Sequence, residues 1–228
     1  MKQLPLGVRL HDRAIWDSFQ TAGSQQAVQG VKQLAAAPAT SMGWLWGAGG
    51  SGKSHLLQAV CAQLPGSGYF PLQQLLSFGP AVLEGIEALC CICLDDVQAI
   101  ASQPEWEAAL FRLYVEVEAR QGRLLLAADQ PAVALPWALA DLRSRCMALP
   151  HWGLQLLDEA QQRVALQTRA RLRGLELPDD TAAYLQRHYP RDMNSLMSLL
   201  DTLDLASLAE QRRLTVPFIR AVLSLPNE

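Results

Sequence analysis

Lysine is scarce in this sequence. Of 19 basic side chains 16 are arginine and 3 are lysine, and past residue 32 the single lysine is Lys53. A basic excess is lacking as well, because 22 acids leave a net charge of −3. A small autonomous DNA-binding protein carries surplus positive charge for the phosphates, so this balance argues against that class, though not against a local basic patch. Apolar runs stay short of the roughly 18 residues of a membrane span. The opening Met1-Lys2-Gln3 has neither the n-region nor the apolar h-region of a signal peptide. A cytoplasmic protein without a membrane partner is the expectation. Disulfides are not expected either. Cys61, Cys90, Cys91, Cys93 and Cys146 are odd in number and fit no framework. Cys90, Cys91 and Cys93 sit in an apolar run with no histidine nearby to complete a zinc site, so they read as reduced core residues.

What is present is a core. Half of the 228 residues are hydrophobic and 18% are charged, enough for one sizeable domain or two modest ones and too apolar for disorder. The pattern predicts helices at residues 24–36, 55–64 and 105–121, with a short one at 80–87. Strands are expected at 42–46, 69–72, 89–94 and 123–128, and a fifth at Arg143–Leu149. Residues 89–94 are six apolar residues in a row, as a strand buried on both faces requires. Strands alternating with helices at this spacing specify an α/β fold with a parallel five-stranded sheet. After about residue 155 only helices are expected, at 158–173, 179–188, 193–209 and 217–225. In the third of these, Leu196, Leu199, Leu200 and Leu203 share one face.

The sharpest motif runs from Gly47 to Ser54, Gly-Ala-Gly-Gly-Ser-Gly-Lys-Ser, and satisfies G-x-x-x-x-G-K-[ST] in full. Gly47, Gly49, Gly50 and Gly52 are read as allowing positive φ, so that consecutive N–H groups, that of Ser51 included, face one cavity. The helix opening at Lys53 places its positive end on phosphate, Lys53 adds a compact charge, and the Ser54 hydroxyl is a ligand for Mg²⁺. A chain that uses arginine almost everywhere else keeps lysine here.

Leu94-Asp95-Asp96 ends an apolar strand in two acids, the Walker B pattern. Asp95 would hold Mg²⁺ through water, and Asp96 would polarise an attacking water. Asp129 follows the strand at 123–128 and would reach a γ-phosphate. Arg145, in Leu142-Arg143-Ser144-Arg145, would reach a nucleotide held by a neighbouring subunit. Arg191 opens a late helix and would reach phosphate from the helical region. Gln3, Leu4 and Leu6 form an extended peptide suited to docking in an apolar pocket.

Together these features resemble the AAA+ ATPases, over roughly residues 9–225, and within them the DnaA branch. Residues 52–57 resemble the GKTHLL of DnaA, which brings His55 into the set. Ala127-Ala128-Asp129-Gln130-Pro131 resembles its sensor 1 stretch, T-S-D-R-P. Leu142-Arg143-Ser144-Arg145 with His151-Trp152-Gly153-Leu154 resembles its arginine-finger segment, and Arg191-Asp192-Met193 its sensor 2. Gln130 stands where DnaA has arginine, and Asp141 where it has a second arginine. The Gln3-Leu4-Pro5-Leu6 peptide resembles a sliding-clamp binding motif. Residues 170–178 and 213–218 are similar in wording to the Hda family, DnaA-related AAA+ regulators.

The resemblance implies a clamp-binding tail at 1–10, a nucleotide-binding base at 11–155 and a helical lid at 156–228, with no separate DNA-reading domain. It implies bound ADP (or ATP) with Mg²⁺ between base and lid. It implies DnaA and the β sliding clamp of DNA polymerase III as partners, with DNA met only through the clamp, and it leaves room for self-association through AAA+ surfaces. Arg145 would act in trans on ATP held by DnaA, which restrains initiation of replication, while the chain's own ATPase is weak. The rival expectations are an autonomous ATPase or helicase loader of the same fold, tested by turnover of the isolated protein, and a DNA-binding initiator fragment, tested by a salt-dependent gel shift.

Overall fold

The computed structural model describes residues 15–190, 192–210 and 213–223. It divides into two compact units at Gln155/Leu156. The first holds α1 (Gln25–Ala36), β1 (Ser41–Trp46), α2 (Lys53–Gln63), β2 (Ser67–Pro71), the single turn α3 (Leu72–Leu75), β3 (Cys91–Asp95), α4 (Pro104–Ala119), β4 (Arg123–Ala128), α5 (Ala140–Ala148) and β5 (His151–Gly153). The expected five-stranded parallel sheet is present, in the order β2-β3-β4-β1-β5. Residues 80–87 form two 3₁₀ turns, Pro80–Leu83 and Ile86–Ala88, in place of the expected short helix.

Strand alternation splits the apolar residues between two layers. Trp44, Ile92, Leu94, Leu124 and Leu126 pack with Leu110 and Leu113 of α4 and Leu142 of α5. Leu45, Cys91, Cys93, Leu125 and Ala127 pack with Val31 and Leu34 of α1 and Leu56, Leu57 and Val60 of α2. Cys91 and Cys93 are free, buried thiols.

The fifth strand is not at Arg143–Leu149. That segment belongs to helix α5, and β5 lies just beyond it. The reason is a helical stripe. Leu142 and Cys146 stand four residues apart and are both fully buried, while Arg143 and Ser144 between them are exposed. The fully buried Glu107 anchors the lead into α5, its carboxylate accepting the N–H groups of Ser102 (2.8 Å), Ala138 (3.0 Å) and Leu139 (2.6 Å). β5 is three residues long and pairs with β1, His151 beside Trp44. Trp152 lies so close over Gly30 and Gly43 that a Cβ at either position would come within 2.2 Å of its ring.

The second unit is helical throughout its described residues: α6 (Glu159–Leu172), α7 (Asp179–His188), α8 (Met193–Glu210) and α9 (Val216–Leu223). Asp158 and Gln161 close a capping box at the start of α6, each side chain accepting the other's backbone N–H at 2.8 and 3.0 Å. Leu166, Leu185, Leu196, Leu200, Leu203 and Phe218 form the core. Leu199, expected on the same face, is only partly buried. Arg173 ties α6 to α8 through Asp201 and, at 3.6 Å, Asp204. Among the described residues no helix is long and apolar enough to cross a membrane.

Candidate functional site

The loop at residues 47–52 joins the end of β1 to α2. Its first residue is fastened to the sheet, the Gly47 N–H donating to the Ala128 carbonyl at 3.3 Å. Positive φ occurs at Gly50 (79°) and Gly52 (96°), not at Gly47 or Gly49. Gly47 is required by proximity instead, since a Cβ there would lie 2.7 Å from the Leu154 carbonyl oxygen and 2.8 Å from Ser51 Oγ. At Gly49 a Cβ would meet nothing within 4 Å. Lys53 Nζ donates to the carbonyls of Gly47 (2.6 Å) and Ala48 (3.2 Å), drawing the loop around its ammonium. Burial lowers the Lys53 pKa, and the charges of Asp95, Asp96 and Asp129 oppose that shift. Ser51 Oγ is buried without a hydrogen-bond partner among the described residues, an arrangement that costs about 1–3 kcal/mol unless something satisfies it.

The sheet order explains why the acids meet. β4 lies between β1 and β3, so Asp129 follows the strand that separates the loop from Asp95 and Asp96. Parallel sheets bind ligands at such carboxyl ends, where strand order departs from chain order. Asp95 is 1% exposed, and both of its oxygens accept hydrogen bonds: Oδ2 from Tyr69 Oη at 2.8 Å and Oδ1 from the Asp96 N–H at 3.0 Å. Asp96 takes a left-handed backbone (φ 58°), a conformation that aspartate tolerates better than most residues. Burial first, then Asp95, raises the Asp96 pKa, with Asp129 adding; Gln98 and Lys53 pull it back. Gln98 bridges this corner. Its Nε2 donates to Asp96 Oδ1 at 3.1 Å and its Oε1 accepts the Asp129 N–H at 3.2 Å.

A family model described as "Hda, lid domain" matches residues 158–223. The chain is also similar to domain III of the Thermotoga maritima replication initiation protein DnaA, at 16% identity, with 92% of this chain and 95% of that one covered and a TM-score of 0.76. AMPPCP-bound DnaA from Aquifex aeolicus matches at 17% identity over 88% of this chain and 68% of that one, TM-score 0.68. A Thermotoga maritima RuvB matches at 14% identity over 91% and 70%, TM-score 0.64. The chain shares its fold with these proteins, and residues 158–223 are similar to the Hda lid domain.

In the first unit, His55 does not point its ring into the phosphate loop. One ring nitrogen lies 3.1 Å from Ser18 Oγ and 3.0 Å from the Ile15 carbonyl oxygen, with Phe19 edge-on at 5.5 Å, so it pins residues 15–19 to α2. Phe19 also lies under Gly52, where a Cβ would come within 2.5 Å of its ring. Ser54 is exposed. Arg145 sits on α5 and donates to Glu118 Oε2 at 2.9 Å, its guanidinium over the rings of Phe111 and Tyr114 at 5.5 and 5.2 Å. Arg191 and the tail residues Gln3, Leu4 and Leu6 lie outside the described residues.

Two residues at this site escape a reading of motifs: Tyr69, which donates to Asp95, and Gln98. Only a polar tip in the β2 segment and a glutamine two residues after Asp96 hinted at them. As a metal site the corner fits Mg²⁺ of the phosphate-borne kind. Among the described residues no group of three or more histidines, cysteines or acids could hold an ion by itself. Mg²⁺ beside a nucleotide needs only one or two carboxylates because phosphates and waters fill the remaining positions.

Proposed function

We propose that this protein binds an adenine nucleotide, ADP in its working state, and acts on a second AAA+ protein of the DnaA type as a negative regulator of replication initiation. The loop N–H groups and the orphaned Ser51 hydroxyl would meet phosphate oxygens. Lys53 would turn from the carbonyls of Gly47 and Ala48 to the β-phosphate. Ser54 and Asp95 would hold Mg²⁺, which when bound neutralises charge on the phosphates. Asp96, kept near Asp129 by Gln98, is the residue that would orient water. The Gln3–Leu6 peptide would dock on a DNA-loaded sliding clamp and meet DnaA–ATP there.

The observation that carries the reading is Arg145. Its guanidinium, on a side chain 37% exposed, pairs with Glu118 and lies over two rings instead of engaging an acid of the chain's own phosphate corner. An exposed pair of this kind is worth little, about 0–1 kcal/mol, so transferring the guanidinium to a partner's γ-phosphate costs little. The stacking rings keep the side chain in one place, which suits insertion in trans. Arg145→Ala should lower stimulation of DnaA-bound ATP hydrolysis by about 10³–10⁵-fold, the worth of an inserted arginine. Binding of a fluorescent nucleotide by the variant should be unchanged. Full stimulation by the variant, on clamp-loaded DNA, overturns the assignment.

A second reading, autonomous ATP hydrolysis, is favoured by the intact Asp95–Asp96–Gln98–Asp129 corner. Sustained turnover by the isolated chain, unaffected by Arg145→Ala, would select it.

A further inference from the structure

Tyr69 belongs to no motif, yet its phenol occupies the junction on which the cation ligands depend. β2 runs beside β3 with Tyr69 level with Cys93 and Pro71 level with Asp95. From there Tyr69 Oη donates to Asp95 Oδ2 at 2.8 Å. Asp95 is the buried acid with Mg²⁺-ligand character, so a residue of the neighbouring strand holds one of its two oxygens. We infer that Tyr69 is a positioning residue for a nucleotide-bound divalent cation, setting the Asp95 carboxylate in the orientation that the cation requires. The inference rests on the phosphate-loop nucleotide reading above.

The chemistry follows from counting donors and acceptors. A carboxylate on one rotatable bond turns unless both oxygens are held. Here the Asp96 N–H takes Oδ1 and the tyrosine takes Oδ2, so the plane of the carboxylate is fixed while each oxygen keeps a lone pair. A phenol is a neutral donor that holds a carboxylate oxygen without adding charge beside the cation. Groups that orient metal ligands in this way typically govern about 10–100-fold in metal affinity.

The test uses the full chain and Tyr69→Phe, which keeps the ring and removes the oxygen. A fluorescent ADP analogue is titrated with Mg²⁺ present and with Mg²⁺ removed by EDTA. In the wild type Mg²⁺ should tighten binding, and in Tyr69→Phe the ratio of the two affinities should fall by about tenfold or more. An unchanged ratio overturns the inference. So does an equal loss under both conditions, which would make Tyr69 a packing residue. A wild type that binds the analogue equally with and without Mg²⁺ also overturns it while leaving nucleotide binding intact. A wild type that binds no analogue at all removes the nucleotide reading and this inference with it.

Discussion

Two glycines of the phosphate loop, alike in the sequence, differ in what surrounds them. Gly47→Ala would drive a methyl onto the Leu154 carbonyl, a backbone atom with little freedom to retreat, whereas at Gly49 the space is open. Gly47→Ala should therefore displace the loop and lower nucleotide affinity at least about tenfold, with a fall in Tm. Gly49→Ala should melt like the wild type. Asp96 makes a further prediction at this scale. Its folded-state pKa is raised, so the native state holds the proton to higher pH than the unfolded chain does. Stability linked to this residue is then greatest below the unfolded pKa near 3.8 and falls as pH rises through the folded value. Asp96→Asn, which accepts the same left-handed backbone, should melt higher than the wild type at neutral pH. The gain should vanish below the unfolded pKa.

Among the elements, helix α5 depends on one buried acid. Glu107→Ala strands the N–H groups of Ser102, Ala138 and Leu139 and leaves a cavity, a loss of about 3–5 kcal/mol by comparison with broken buried polar networks. Chemical denaturation should show it. Asp158→Ala, which opens the capping box of α6, should cost only about 1 kcal/mol. α5 also marks where the sequence stopped being legible. β3 and β4 announce themselves as unbroken apolar runs, and α4 by its long amphipathic pattern. Cys146-Met147-Ala148-Leu149 is an apolar run too, and it read as a strand because the fixing interaction comes from Glu107, some 40 positions earlier. β5 was missed for the converse reason. Three residues carry no period, and Trp152 belongs there because Gly30 and Gly43 leave room for its ring. The loop and the Walker acids were legible because their chemistry is local. Tyr69 and Gln98 were not, because each matters only through partners that the sheet brings alongside.

For the molecule as a whole, a net charge of −3 suits a protein brought to DNA by another protein. Leu4→Ala/Leu6→Ala should abolish retention on an immobilised sliding clamp while leaving nucleotide affinity intact, and unchanged retention would leave the proposed recruitment without support. The sheet order has a consequence for synthesis. β1, which ends in the phosphate loop, pairs only with β4 and β5. When Trp46 leaves the ribosome, neither partner has been made. About 80 more residues must follow before β4 is complete, roughly 4–16 s at common elongation rates. Until then Met42–Trp46 is an apolar ribbon with two unpaired edges, and among the described residues β2 and β3 are the strands that can zip together ahead of it. The part of the chain with the most recognisable sequence is among the last to acquire its shape.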